Sequence, residues 1–190
     1  MSDVNPLEII DCFYPDSPLR QILLTHSSQV RDKALEILDN CGLPLDRRLI
    51  ITGAMLHDIG IRECHAPGIL CTGNAPYIAH GVIGARMLRE YGAAHHLDLD
   101  AVAAICERHT GSGITAAEVR TQSLPIPERD YLPETGEEKL ICLADKFFSK
   151  SGEMKEKSIG HIRNSLRKFG PDAVARWDEM CRLFGLPTGA

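Results

Sequence analysis

The stretch Asp46-Arg47-Arg48-Leu49-Ile50-Ile51-Thr52-Gly53-Ala54-Met55-Leu56-His57-Asp58-Ile59-Gly60 decides the fold. Asp46 offers a side-chain oxygen to the free amides of a first helical turn. Leu49, Ile50, Gly53, Ala54 and Leu56 follow at helical spacing, so the stretch reads as a helix with one apolar face. That face runs directly into His57-Asp58, and Gly60 lets the backbone turn beside the pair. An imidazole next to a carboxylate at the end of a buried face is suited to a hard or borderline divalent cation.

Outward from this segment the pattern stays helical. Ser17-Pro18 places a cap and a first-turn proline before a helix running to about Asn40, with Gly42 beyond it. Residues 64–75, with Pro67, Gly68, Gly73 and Asn74, read as a loop. Pro76 opens a helix ending near Gly92, and Asp98 or Asp100 opens another through Glu107 and His109. Thr115-Ala116-Ala117-Glu118 and Thr135-Gly136-Glu137-Glu138 match capping boxes, the second for a helix through Leu140, Ile141, Leu143 and Phe147. Prolines between Pro125 and Pro133 mark an extended connection, and two further helices, roughly 158–169 and 171–184, close the chain. No strand alternation or repeat is visible. The expectation is an all-α protein, one compact single-domain helical bundle: residues 1–16 as an N-terminal extension, 17–150 as the domain proper, and 151–190 as helices packed on it.

Composition narrows the function. The chain has 190 residues, 44% hydrophobic and 25% charged, enough to bury a full core. Its formal net charge is -5 and no basic run occurs, which disfavours nucleic acid as a partner. No apolar stretch approaches ~20 residues and no cationic-apolar leader opens the chain, so the expectation is a cytoplasmic protein without a membrane partner. Seven cysteines, odd in number and without a CxxC, read as free and mostly buried thiols.

Four more candidate ligands lie on apolar helical faces. His26 belongs to the stripe Leu19, Ile22, Leu23, His26, Val30, Ala34, Ile37; His80 shares a face with Ile83, Gly84, Met87 and Leu88. His109 follows Val102, Ile105 and Cys106, and Asp145 lies at helical spacing between Ile141 and Phe148. One histidine on an apolar face is more often a hydrogen-bonded core residue than a ligand. A buried carboxylate is harder to explain that way, because without a partner it costs several kcal/mol. Lys146 leaves the helix about 100° from Asp145 and is expected to be a poor partner for it. Three inward histidines and two inward carboxylates together point to a shared metal site.

The order His26 … His57-Asp58 … Asp145, with Ala79-His80-Gly81, His109-Thr110-Gly111 and Glu138-Lys139-Leu140-Ile141-Cys142-Leu143-Ala144-Asp145-Lys146, resembles the HD-domain superfamily of metal-dependent phosphohydrolases. The branch is the one with a His-Asp-Ile-Gly signature, and the segments are similar to HD proteins that cleave diadenosine tetraphosphate. The resemblance covers roughly residues 17–150. It implies that His26, His57, Asp58 and Asp145 hold a first metal, and that His80 and His109 hold a second with Asp58 bridging. Two ions, iron or manganese, fit that mixed nitrogen and oxygen set.

The activity so implied is hydrolysis of a phosphomonoester or a nucleotide pyrophosphate bond by a metal-activated water, with Asp58 at its centre. The partner is a small phosphorylated substrate, a nucleotide among the candidates. Some two-metal relatives follow the signature with lysine, whereas this chain has Ile61 and then Arg62, so Arg62 is the candidate for contact with phosphate. Two other classes stay open: a di-iron oxygenase with the same ligand order, and a non-catalytic nucleotide-binding module. His65, His95, His96 and the basic helix around His161 read as solvent-facing.

Overall fold

The computed structural model describes residues 4–188; Met1–Asp3 of the N-terminal extension and the last two residues lie outside that range. Nine α-helices are found among the described residues: α1 (Pro6–Phe13), α2 (Pro18–Cys41), α3 (Arg47–Leu56), α4 (His80–His95), α5 (Asp100–Arg108), α6 (Ala116–Thr121), α7 (Gly136–Asp145), α8 (Ile159–Leu166) and α9 (Pro171–Leu183). The all-α expectation therefore holds, and the local signals act as read. Ser17 caps α2 and Gly42 closes it in the left-handed conformation, φ 67°. Asp46 accepts from the amides of Arg48 and Leu49, at 2.8 and 3.1 Å, to start α3.

Four local readings change. The described part of the N-terminal extension contains α1, started by Asn5 and Pro6, and it buries Ile9 and Ile10. Just after it, the Tyr14 hydroxyl donates to the Ile59 carbonyl at 2.7 Å, which fastens this segment to the turn following His57-Asp58. The 64–75 loop contains a two-residue antiparallel hairpin, β1 (His65–Ala66) with β2 (Cys71–Thr72), pairs too short to leave an alternation in the sequence. α4 begins only at His80, after a single tight turn at Tyr77–Ala79, and continues past Gly92 to His95. Gly92 is a close-approach residue rather than a stop: a Cβ there would lie 2.6 Å from the Leu97 carbonyl. Thr135 caps α7, but the second capping box is not completed, because Glu138 turns to Arg108 and to the amide of Glu134.

The apolar side chains form two clusters. One gathers Val30, Ala34 and Ile37 of α2 with Ile50, Ala54, the α7 residues, and Trp177 and Met180 of α9. The other gathers Ile9, Ile10, Leu23, Leu56, Ile59, Leu88, Val102 and Cys106. On α2, Leu23 belongs to one cluster and Val30 to the other, with His26 between them. The polar centre thus lies at the seam where the two apolar clusters meet, walled from water on both sides.

Candidate metal centre

Five elements deliver six side chains to that seam: His26 from α2, His57 and Asp58 from the end of α3, His80 from the start of α4, His109 from the end of α5, and Asp145 from the end of α7. All six are buried. They form two groups of potential ligands, His26-His57-Asp58-Asp145 and Asp58-His80-His109, whose donor atoms lie within 4.8 Å of one another in each. The six residues singled out from the sequence are therefore brought together, and Asp58 belongs to both groups.

Backbone contacts set the tautomers. The Nδ1 of His57, His80 and His109 lies 2.7 Å from the carbonyl oxygen of Ala54, Tyr77 and Cys106 respectively, each three residues upstream. A carbonyl only accepts, so each Nδ1 carries a proton and each Nε2 is the atom turned inward, with a free lone pair wherever the imidazole is neutral. The Nε2 atoms of His80 and His109 face each other at 3.0 Å, and each stands 3.4 Å from Asp58 Oδ1. Burial, and for His80 the neighbouring His109, drives both imidazoles toward the neutral form, His80 down to about 3. Two facing lone pairs beside a carboxylate oxygen repel unless a cation lies among them.

The first group has matching spacings. His26 Nε2 lies 2.9 Å from Asp145 Oδ1 and 3.2 Å from Asp58 Oδ2; His57 Nε2 lies 3.0 Å from Asp58 Oδ2 and 3.4 Å from Asp145 Oδ1. Atoms on one ion at about 2.1 Å stand roughly 3.0 Å apart at right angles and roughly 3.4 Å apart at tetrahedral angles. Among the described residues, His57 Nε2 and both Asp58 oxygens also make no hydrogen bond of sound geometry, although buried polar groups rarely go without one. The spacings, the orphaned atoms and the mixed donors all fit a divalent cation.

Charge in the seam is compensated by two lysines, one that sequence reasoning passed over and one that it discounted. Lys150 Nζ stands 2.7 Å from Asp58 Oδ2, and Lys146 pairs with Asp145 Oδ2, contrary to the expectation of a poor partner. Lys146 keeps helical backbone angles, φ -66° and ψ -22°, but its long flexible stem folds back across the offset to reach the neighbouring carboxylate. Burial opposes both carboxylates, but His57 and Lys150 at Asp58, and Lys146 and Lys150 at Asp145, outweigh it and hold both well below the usual range. Burial also opposes charge on His57, yet with no cation between them Asp58 and Asp145 overcome it and lift that imidazole to about 9, so His57 Nε2 holds a proton that a metal ion would have to displace.

Arg62 is not brought to the centre. It is exposed, and its guanidinium bonds the Phe13 carbonyl and lies over the Tyr14 ring, 5.8 Å from the centroid. The tight turn at Ile59–Glu63 buries Ile61 and turns Arg62 to the surface. Beside the centre instead lies a cleft of about 460 Å³, lined by Tyr77, Asp145, Lys146, Phe148, Lys150 and Ser165 among others. Among the described residues, no helix is long and apolar enough to cross a membrane.

A family profile described as HD domain matches residues 23–149. The chain is 39% identical over 128 residues to tRNA (cytidine(56)-2'-O)-methyltransferase of Picrophilus torridus, covering 67% of this chain and 32% of that one. It is 35% identical over 158 residues to an uncharacterized protein of Methanocaldococcus jannaschii, MJ0778, covering 77% and 83% of the two chains. A Thermoplasma volcanium protein with the same methyltransferase name is 32% identical over 167 residues, 88% of this chain and 43% of its own. The chain thus spans less than half the length of either methyltransferase-named relative. Among solved structures, the HD domain of the Listeria monocytogenes phosphodiesterase PgpH superposes with TM-score 0.54 at 19% identity, over 95% of this chain and 88% of that one. The same domain in complex with cyclic-di-AMP gives 0.52 at 16% identity, over 94% and 92%. At these identities the likeness is one of fold.

Proposed function

Because the chain belongs to the HD-domain family, we propose that it is a metal-dependent phosphohydrolase acting on a small phosphorylated substrate, with nucleotides among the candidates. His26, His57, Asp58 and Asp145 would hold one divalent ion, and Asp58, His80 and His109 a second, with iron or manganese favoured by the mixed donors. The observation that carries this reading is the meeting of inward lone pairs: Nε2 of His80 and of His109, 3.0 Å apart, over an Asp58 carboxylate without a well-formed hydrogen bond.

A bound divalent ion supplies a water ionised near neutral pH and neutralises charge on the phosphoryl oxygens. The chain's own residues do the rest. The three upstream carbonyls lock the imidazoles in the ligating tautomer, and Asp58 serves both groups and keeps them in register. Two carboxylates already face two ammonium groups, Lys146 and Lys150. Any divalent cation therefore leaves the site positive, and an anionic group entering from the cleft restores the balance. The known complex of the PgpH HD domain with cyclic-di-AMP supports including nucleotides among the substrates to be tried.

Metal analysis of the purified protein should find close to two ions per chain. Phosphate-release assays with manganese or iron should then find turnover within a panel of phosphomonoesters, dinucleoside polyphosphates and cyclic dinucleotides. Bound metal without turnover anywhere in that panel sinks the hydrolase reading. Turnover that requires both iron and dioxygen would replace it with an oxygenase.

A further inference from the structure

Three lysines border the cleft beside the metal centre, and they are not equivalent. Lys157 is committed to the backbone: its ammonium donates to the carbonyls of Phe148 and Lys146, at 2.9 and 3.4 Å. Lys146 sits on Asp145 Oδ2, the oxygen turned away from the imidazoles. Lys150 alone reaches the oxygen shared with the imidazoles, Asp58 Oδ2, where His26 and His57 also converge. Its side chain is only 12% exposed, its ammonium lies 5.9 Å from the centre of the Tyr77 ring, and both residues line the cleft.

Lys150 Nζ and a divalent cation therefore draw on the same carboxylate oxygen. The ammonium is far more easily moved, because it stands on a flexible stem and on an irregular segment between α7 and α8. A divalent charge at Asp58 repels it toward the cleft, where an incoming anion is its natural partner.

We propose that Lys150 is the substrate-gripping residue of this site: its ammonium passes from Asp58 to a phosphate oxygen of the substrate, and it favours a dianionic, unesterified phosphate over a phosphodiester. Tyr77 forms the wall behind that phosphate. Its ring stacks on His80 at 4.7 Å and its carbonyl holds His80 Nδ1, so the wall is fixed to the second ligand group. The proposal rests on the phosphohydrolase reading above.

The test is calorimetric titration of inorganic phosphate, and separately of dimethyl phosphate, into the Mn²⁺-loaded 190-residue chain. Phosphate should bind the wild type more tightly than dimethyl phosphate. Lys150→Gln should weaken phosphate about tenfold or more, as expected for loss of a charge-assisted hydrogen bond. Lys150→Arg should recover part of that loss. In Lys150→Gln, Mn²⁺ affinity should stay equal or rise; a merely structural lysine, there to stabilise Asp58, would lower metal retention instead. An independent reading needs no variant: phosphate should slow acetylation of Lys150 in the Mn²⁺-loaded wild type, followed by mass spectrometry. Unchanged phosphate affinity in Lys150→Gln, or unprotected Lys150, overturns the proposal even if the enzyme hydrolyses phosphoesters. Lys150-dependent phosphate binding without turnover would leave it standing while the hydrolase reading falls.

Discussion

The two groups of potential ligands share Asp58, yet one is rich in charge and the other in rigidity. The first, His26-His57-Asp58-Asp145, contains two carboxylates, has two ammonium groups at its edge and adjoins the cleft. One of its imidazoles, His26, has no partner for Nδ1 among the described residues. The second, Asp58-His80-His109, has no carboxylate of its own, but both its imidazoles are tied through Nδ1 to a carbonyl three residues back. A site can thus be prepared for a cation in two ways, by supplying negative charge or by fixing neutral donors in place beforehand. The second group depends on the first for its charge, through one residue.

That dependence yields the largest expected effect. Asp58→Ala should abolish retention of both ions and all hydrolase activity while leaving the far-ultraviolet circular dichroism near wild type. Undiminished metal content in that variant would break the assignment of both groups at once. His80→Ala and His109→Ala should each reduce the measured stoichiometry from about two ions to about one, because only the second group loses a donor. A wild-type stoichiometry of one would make His80 and His109 supporting residues of a single-ion site.

Next in size is Gly60→Ala. A Cβ on Gly60 would lie 2.2 Å from the His80 carbonyl and 2.5 Å from the Gly84 amide, so the start of α4 must move. Overpacking of this kind costs about 1–3 kcal/mol, or a melting temperature lower by several degrees. Since α4 carries His80 and not His26 or Asp145, the second ion should weaken more than the first in stepwise metal titrations. Equal weakening of both would show the two groups to be less separable than their donors suggest.

The contrast between the groups also explains what the sequence disclosed. All six ligand candidates were legible, because each is a polar residue on a helical apolar face, and helix caps such as Ser17 and Asp46 set the phase of those faces. Charge compensation was not. Lys150 stands five residues beyond the end of α7, in a segment without periodicity, and its approach to Asp58 depends on how the chain doubles back before α8. Lys146 was misjudged because its backbone is helical as expected, yet a flexible four-carbon stem can span the ~100° offset that separates it from Asp145. Arg62 was a candidate from proximity in sequence, yet the tight helical turn over Ile59–Glu63 points Ile61 inward and Arg62 to the outer surface. The fastening of α1 through Tyr14 to Ile59 spans 45 positions, with no local signal to reveal it.

The smallest effect expected concerns how the second group is braced from outside. The turn after His109 is fastened to α9: Ser112 donates to the Ala173 carbonyl at 2.7 Å, and Arg176 donates to the carbonyls of Ser112 and Gly113. Arg176 is itself held by Glu118, at 2.8 Å. Burial opposes the Glu118 charge, but Arg176 and the Thr115 amide and hydroxyl outweigh it, so the carboxyl titrates below its ordinary range. A depressed carboxyl contributes stability that is fully present above its unfolded pKa and is lost as pH falls through the lower folded value. The thermal stability of wild type should therefore exceed that of Glu118→Gln by a constant margin around neutrality, with the gap closing only below the ordinary carboxylate range. At neutral pH the variant should weaken the second ion slightly and leave the first alone, since the Glu118–Arg176 link holds the turn after His109, whereas the packing of α9 on α7 is apolar and stays as it is. A gap unchanged down to pH 3 would mean that Glu118 acts through shape rather than charge, and an equal change at both ions would remove the distinction between a braced and an unbraced group.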